Sequence, residues 1–295
     1  MLQPAHVTSL DRLRAHLRRI EAPQIYGVIP FRVAAIDRAL PGGGLPLGAL
    51  HEVLGAGADE EDGAAAAGFV AAILARLGTA DREGAGKAGP GSGLVLWCLK
   101  RHDLYGLGLL AHGLDPARVV LVTARRGDDV LWSAEEALRA GPASGLVAVV
   151  AEIGRLPMVA GRRLQLAAER SGLTAFLLRR WRSAAEAATE RERPSAALTR
   201  WRVTALPSIP EGPLWINLLP QQGRGGEIAA AGAFGTGAGR PRWHVELLRA
   251  RGGVPGSWEV EIADATGHVR LSAGLADRPV APHRPHVGSA IRRAG

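Results

Sequence analysis

The segment from Gly55 to Ala66 stands where a phosphate-binding loop would follow its strand, but it lacks the reactive side chains of such a loop. It reads GAGADEEDGAAA and follows Leu50–Leu54, an apolar run that predicts a strand. In a working loop, G-x-x-x-x-G-K-[ST], backbone N–H groups cradle the phosphates, the lysine neutralises them and the hydroxyl holds Mg²⁺. If Gly63 is the second glycine, Ala64 stands in the lysine position and Ala65 in the hydroxyl position. We therefore expect no cofactor to bind here.

Four consecutive acids replace the neutral residues of such a loop. Beside a triphosphate, each like-charge pair at about 6 Å would cost roughly 2–3 kcal/mol at an effective dielectric near 20. We interpret the acids as caps of the alanine-rich helix that begins near Gly63, where each carboxylate contributes about 0.3–1 kcal/mol. The alternative is that they hold a divalent cation. The residues of this altered loop are Gly55, Gly57, Asp59, Glu60, Glu61, Asp62, Gly63, Ala64 and Ala65.

Composition narrows the class of protein. The 295 residues include one cysteine, Cys98, so no disulfide framework or cysteine-based zinc site is expected. The longest apolar stretch, Gly63–Ala75, is too short to span a bilayer, and the N-terminus lacks the apolar segment of a secretory signal. The formal charge of +8 favours acidic or polyanionic partners. We expect a cytoplasmic protein with no metal site and no membrane contact.

The pattern of apolar residues predicts an α/β fold. Strands are predicted at Leu50–Leu54, Leu94–Leu99, Val119–Thr123, Leu146–Ile153 and Thr174–Leu178. Helices are predicted at Ala64–Leu77, 103–112, Asp128–Ala140 (capped by Asp128 or Asp129) and Pro157–Ser171. Apolar strands that alternate with helices indicate a mostly parallel sheet flanked by helices.

The two ends of the chain differ from this central pattern. Strands predicted at Trp201–Ala205, Trp243–Ala250 and Trp258–Ile262 suggest an antiparallel extension of the sheet. Leu10, Leu13, Leu17 and Ile20 have helical spacing, which predicts an amphipathic helix at 8–21. We divide the chain into an N-terminal helical arm (1–28), a core (29–275) and a basic, flexible tail (276–295).

The order of these pieces resembles the RecA-type recombinase core. The resemblance is strongest at residues 31–54, FRVAAIDRALPGGGLPLGALHEVL, which looks like the approach to the first core strand of that family. It extends more loosely from about residue 28 to 265. It implies a RecA-like core, with a mostly parallel sheet flanked by helices and antiparallel C-terminal strands.

The combination of segments is similar to the ImuA (inducible mutagenesis protein A) family. The features are residues 31–54, the altered loop, LWCLKRHDLYGLGLLAHGLDPARVVLV at 96–122 and LLRRWR at 177–182. Members are RecA-like accessory proteins of bacterial translesion synthesis in the SOS response to DNA damage. The resemblance implies three partners: an ImuB-like relative of the Y-family polymerases, an error-prone replicative-type DNA polymerase, and RecA.

Two further positions depart from an active RecA-type ATPase. In active relatives the strand after the first helix ends in a catalytic acid, whereas here Leu99 is followed by Lys100, Arg101 and His102. The second acid, which organises Mg²⁺, matches Ala151, and the one-residue offset would turn Glu152 to the opposite face of the strand. We therefore expect no ATPase activity, so that the chain is not an enzyme. The alternative is a divergent ATPase that uses Lys87 or Lys100.

Basic residues are concentrated after the fifth predicted strand. The run Arg179, Arg180, Trp181, Arg182 lies where recombinases place a DNA-contacting loop, and the tail carries Arg292 and Arg293. Arginines beside an aromatic ring can bind phosphates while the ring stacks on a base. Three interpretations stay open: a nucleic-acid contact, an acidic protein partner, or a solvated face whose Trp packs on the core.

Our leading hypothesis is a non-catalytic RecA-like accessory protein of DNA-damage-induced mutagenesis. Its sheet would serve as a platform, while the arm, an Arg-rich loop at 179–200 and the tail contact the partners. The alternatives are a divergent RecA-family ATPase and a stand-alone module that binds single-stranded DNA, whose affinity would fall steeply with salt.

Overall fold

A computed structural model of the chain describes residues 26–77, 93–208 and 239–272. The predicted helix at 8–21 and the predicted tail, with Arg292 and Arg293, lie outside these described residues. Lys87 is outside them as well. The described residues belong almost entirely to the predicted core.

Eleven β-strands are present in the described residues, and nine of them form one sheet. The strands are β1 (Val28–Ile29), β2 (Leu45–Pro46), β3 (Leu50–Gly55), β4 (Leu94–Leu99), β5 (Val119–Thr123), β6 (Leu146–Ile153), β7 (Thr174–Arg179), β8 (Thr199–Leu206), β9 (Arg242–Ala250), β10 (Gly256–Ile262) and β11 (Val269–Leu271). Strands β1 and β2 pair with each other in a separate two-stranded sheet.

Strand β3 lies at the centre of the large sheet, whose order is β11-β10-β9-β8-β3-β7-β6-β4-β5. The strands from β8 to β5 in this order are parallel to their neighbours. Strands β9, β10 and β11 add antiparallel pairs beyond β8. All six residues of β3 and β7 are buried, as expected for parallel strands covered on both faces.

Six α-helices surround the sheet in the described residues. They are α1 (Ala34–Asp37), α2 (Ala64–Arg76), α3 (Gly106–Ala111), α4 (Gly127–Ala140), α5 (Met158–Ser171) and α6 (Ala184–Arg191). A π-helical turn, Asp59–Gly63, precedes α2 directly. This α/β architecture, mostly parallel with antiparallel C-terminal strands, confirms the predicted RecA-like fold class.

Two hydrophobic clusters hold the helices to opposite faces of the sheet. Under α2, Phe69 packs on Trp201 and Trp243 with ring centroids 5.7 and 6.0 Å apart. On the other face, residues of α4 and α5, such as Leu138 and Leu164, pack on alternate residues of β6 and β7. Because α2 is rich in alanine and almost wholly buried, it lies close to the sheet and fixes the loop that leads into it.

The structure corrects several local predictions. Helix α3 is shorter than the predicted 103–112. Helix α4 begins at Gly127 after Arg126, whose side chain makes no cap, so the predicted capping by Asp128 or Asp129 is wrong. The predicted Arg-rich loop at 179–200 contains helix α6, whose N-cap Ser183 accepts a hydrogen bond from the Glu186 amide.

A fully buried histidine, His51, is the second residue of the central strand β3. Its ring nitrogens lie 2.7 Å from Thr199 Oγ1 and 2.8 Å from the carbonyl oxygen of Pro46. Burial lowers the pKa of His51 to about 4, and the hydrogen bond to Pro46 only partly opposes this. The folded protein therefore holds His51 neutral where an unfolded chain would bind a proton.

Stability is expected to fall as pH drops from about 6.5 to about 4, because in this window the unfolded chain protonates His51 and the folded protein does not. This histidine alone should lower the free energy of unfolding by roughly 3 kcal/mol over that range. Urea denaturation between pH 4 and 7 measures the effect. A His51→Gln variant, which cannot titrate, should show a shallower slope, and identical slopes would contradict the assignment.

Candidate functional site

The altered loop lies at the carboxyl edge of the central strand, where open α/β sheets bind their ligands. It leaves β3 at Gly55, passes through residues 56–58 and enters the π-helical turn before α2. The Ala56 amide donates to the carbonyl of Val203 (3.0 Å), and the Asp59 amide donates to the carbonyl of Trp181 (2.9 Å). These bonds fix the loop between the ends of β8 and β7.

One side chain of the loop, Asp62, accepts hydrogen bonds from a backbone amide of the loop and from one of β8. Asp62 is 6% exposed, and its Oδ2 accepts a 2.7 Å hydrogen bond from the amide of Gly57. Its Oδ1 accepts another, also 2.7 Å, from the amide of Ala205 in β8. The Asp62 carboxylate is thus an internal anion seated on the backbone of the loop.

The four acids lie at the N-terminal end of α2, but they do not act as a uniform cap. They form the π-helical turn themselves, and neither it nor α2 has a side-chain cap at its N-terminus. Asp62 binds the loop amides, and Asp59 pairs with two arginines, whereas Glu60 and Glu61 are exposed. The capping interpretation is therefore right in position and wrong about the partners of Asp59 and Asp62.

Arg180 gathers three carboxylates around the loop. Its Nε lies 2.5 Å from Asp59, and its two terminal nitrogens lie 2.8 Å from Glu152 and 2.9 Å from Asp103. Burial opposes its charge, but the hydrogen bond to Asp59 and the other carboxylates raise the pKa of Arg180. The guanidinium stays charged and connects the ends of β7, β6 and β4 to the altered loop.

Glu152 lies on the face of the sheet opposite to Ala151, as the one-residue offset predicts, and this is the face on which the altered loop and α2 lie. Ala151 belongs to the cluster under α4 and α5, whereas Glu152 accepts a 2.8 Å hydrogen bond from Trp97, which lies under α2. Burial raises the pKa of Glu152, and Arg180 and Trp97 partly offset the effect. Both carboxylate oxygens have protein partners, which leaves this acid in a structural role.

Where active relatives carry the first catalytic acid, after β4, this chain has basic residues, and one of them joins the ion pairs around the loop. Arg101, two residues beyond β4, forms a salt bridge with Asp59. An active ATPase carries a basic residue on the loop and an acid after this strand, whereas this chain pairs an acidic loop with an arginine. Lys100, the lysine of the divergent-ATPase alternative, is exposed.

The basic run after β7 is mostly internal. Arg179 is 3% exposed and lies 2.6 Å from Glu52 and 2.9 Å from Glu190. Trp181 is 1% exposed, stacks under the Arg179 guanidinium and donates to the carbonyl of Gly154. The interpretation in which this Trp packs on the core matches the structure.

Arg182 is the exposed member of the run. Its backbone amide donates to Glu186, and its guanidinium is left for solvent or a partner. Sequence reasoning missed Glu52, Asp103 and Glu190 as partners of the basic run, and it missed Arg101 as a partner of Asp59. The sequence shows an acidic loop and a basic segment at the end of a strand, and these opposite charges could have predicted that the two segments pair.

Two other searches of the described residues were negative. Across the described ranges no group of three or more His, Cys, Asp or Glu residues is arranged to hold a metal ion. Among the helices of that same part of the chain, none has the length and apolar character needed to cross a bilayer.

The fold and this site define a RecA-like α/β protein whose phosphate loop is occupied by its own acids. No protein-family model matches the chain. It is 38% identical over 260 residues to Protein ImuA of Caulobacter vibrioides, in strain NA1000 / CB15N and in strain ATCC 19089 / CIP 103742 / CB 15. The aligned region covers 86% of this chain and 92% of that protein. The chain belongs to the ImuA family.

Proposed function

We propose that this chain is a non-catalytic accessory protein of damage-induced mutagenesis that supports error-prone translesion synthesis. Membership of the ImuA family supports the inducible-mutagenesis system as its setting. The observation that supports the lack of catalysis is that the Asp62 carboxylate accepts hydrogen bonds from the loop amide of Gly57 and from the amide of Ala205 in β8.

A nucleotide would have to displace that carboxylate before it reached the loop. Each hydrogen bond to a charged acceptor contributes about 1.5–3 kcal/mol, and Asp62 makes two of them. The incoming phosphates would then meet Asp59, with alanines at the positions of the lysine and the hydroxyl. Phosphate binding therefore loses existing bonds and gains no cation from the loop itself.

The same contacts favour a rigid platform. Arg180 and Arg101 connect the loop to three strand ends, so this edge of the sheet is held by ion pairs. Partners of the accessory role are an ImuB-type protein and an error-prone replicative-type polymerase. The divergent ATPase and the stand-alone DNA-binding module are less well supported, because the run that would contact DNA is largely buried or paired.

Calorimetry with ATP and Mg²⁺ is expected to detect no binding tighter than about 10 μM, or about −7 kcal/mol, because the phosphate site holds an internal anion. Lys100→Ala serves as the control, since it removes the exposed lysine that a divergent ATPase could use. Micromolar binding that Lys100→Ala abolishes would overturn the non-catalytic assignment.

Recovery of a complex with an ImuB-type protein tests the accessory role. The full chain is co-expressed with an ImuB-type protein, and the complex is recovered with ATP and after ATP removal by apyrase. Equal recovery in both conditions is expected if the sheet acts as a platform. Recovery only with ATP would contradict a nucleotide-independent role, and no recovery in either condition would contradict the accessory role.

A further inference from the structure

Helices α4 and α5 lie side by side on one face of the sheet and leave a groove between them. Two adjacent cavities of about 280 and 220 Å³ follow this seam and share Glu135 and Arg163 in their walls. The first lies at the C-terminal ends of the helices, near Gly141 and Ser171, and the second at their N-terminal ends, near Asp128 and Pro157. The α4–α5 groove therefore runs the length of both helices.

The apolar side chains that line the walls of the groove are buried, whereas apolar side chains at its edges are exposed among the described residues. Leu138, Leu164 and Ala167 line its walls. Trp132 is 62% exposed and Leu166 is 45% exposed at its edges. Val159, 72% exposed, lies on the same stripe of α5 as Arg163 and Leu166 by helical spacing. Exposed apolar side chains on either side of the Arg163–Glu135 ion pair mark an interaction surface on this helix pair.

The described chain begins beside one end of this groove. The Tyr26 hydroxyl donates a 2.5 Å hydrogen bond to the carbonyl of Glu169, near the C-terminus of α5. Its ring packs on Gly172, where φ is +76° and an added Cβ would lie 3.0 Å from the ring. Residues before Tyr26 therefore leave from the Arg170–Ser171 end of the groove, which one of the cavities reaches.

We propose that residues 8–21 of this chain dock in the α4–α5 groove in cis. The segment lies outside the described residues, and its sequence predicts a helix with Leu10, Leu13, Leu17 and Ile20 on one side. Such a helix is about 21 Å long, which equals the length of α5, also 14 residues.

The connection allows only one direction for the docked segment. Residue 21 is five residues from Tyr26, a reach of at most about 18 Å. The segment therefore lies parallel to α5, with its C-terminal end near Arg170. Because both helices rise equally per residue, Leu17 faces Leu166 and Leu10 faces Val159.

A disulfide scan in the full chain tests this register. Cys98 is buried, so it does not compete with introduced cysteines. The pairs Leu17→Cys with Leu166→Cys and Leu10→Cys with Val159→Cys are expected to close on mild oxidation, since bridged Cα atoms lie within about 7 Å. The mismatched pair Leu10→Cys with Leu166→Cys, offset by about 10 Å, should not close. Closure of no pair, or of all three equally, would overturn the proposal.

The mass of the product distinguishes this chain from another copy. A bridged monomer supports docking in cis, and a bridged dimer overturns it in favour of a second copy. The rate of maleimide labelling of Leu166→Cys is an independent measurement. If the segment is docked about nine-tenths of the time, the thiol is free about one-tenth of the time. The substitutions Leu13→Asp and Leu17→Asp, which should release the segment, are therefore expected to raise the labelling rate about tenfold. Labelling of Val254→Cys, an exposed position between β9 and β10, should not change. An unchanged rate at Leu166→Cys would refute the docking.

Discussion

Arg179→Met is expected to lower the free energy of unfolding by about 3–5 kcal/mol, the usual effect of removing one partner of a buried ion pair. Arg179 lies between two buried carboxylates, Glu52 and Glu190. It also donates two hydrogen bonds to the carbonyl of Gly154. Methionine fills similar space but leaves both acids without this cation, and Glu52 keeps only Arg200 at 3.3 Å.

Urea denaturation at pH 7 measures this loss. Arg182→Met is the matched control, because Arg182 has the same chemistry three residues away and is exposed; its effect should stay within about 0.5 kcal/mol. A similar small effect for Arg179→Met would mean that the buried ion pairs do not contribute to stability.

Asp62→Ala is expected to destabilise the protein by roughly 2–4 kcal/mol, because it leaves the amides of Gly57 and Ala205 without their charged acceptor. Asp62→Asn keeps one acceptor oxygen and should lose about half as much. Neither variant should gain affinity for ATP, because the lysine and the hydroxyl of a working phosphate loop are still missing.

Denaturation curves of both variants, with Glu60→Ala as the control, check this prediction. Glu60 has the same charge in the same turn but is exposed, so its removal should change stability by less than about 0.5 kcal/mol. If Asp62→Ala were as stable as Glu60→Ala, the Asp62 carboxylate would not be the anion that holds the loop.

Most of the sheet could be predicted because its strands are continuous apolar runs. The predicted strands at Leu94–Leu99, Val119–Thr123 and Leu146–Ile153 have the bounds that the structure gives. Helix α2 ends one residue before its predicted end. Burial on both faces removes polar residues from the inner parallel strands, so the signal for them is strong. Strand β5, at the edge of the sheet, is an apolar run although it is partly exposed.

The elements that were missed have weak local signals. Helix α6 has only eight residues with several charges, and β11 has three residues. Helix α6 is fixed by long-range contacts: Ala187 packs with Trp181 and Leu54, and Glu190 pairs with Arg179. The local sequence does not reveal these contacts. The segment was therefore predicted as a basic loop.

Partners of charged residues were the least predictable part of the site. The four acids and the basic run were both visible, but Arg179 and Glu52 are 127 positions apart in the chain. Charge composition shows that ions are present, and only the fold shows which of them meet in the core. Arg179 was therefore predicted as a contact residue and instead holds strands β3 and β7 to helix α6.

Under the proposed function, the reversed charges at Asp59 and Arg101 make nucleotide chemistry hard to regain one residue at a time. A lysine introduced at Ala64 would leave the Asp62 carboxylate on the loop amides, and an acid at Arg101 would stand beside Asp59 as a like charge. Neither single substitution frees the Gly57 amide from Asp62, so neither is expected to restore nucleotide binding. Re-creating a motor from this scaffold would require the loop, the end of β4 and Arg180 to be redesigned together.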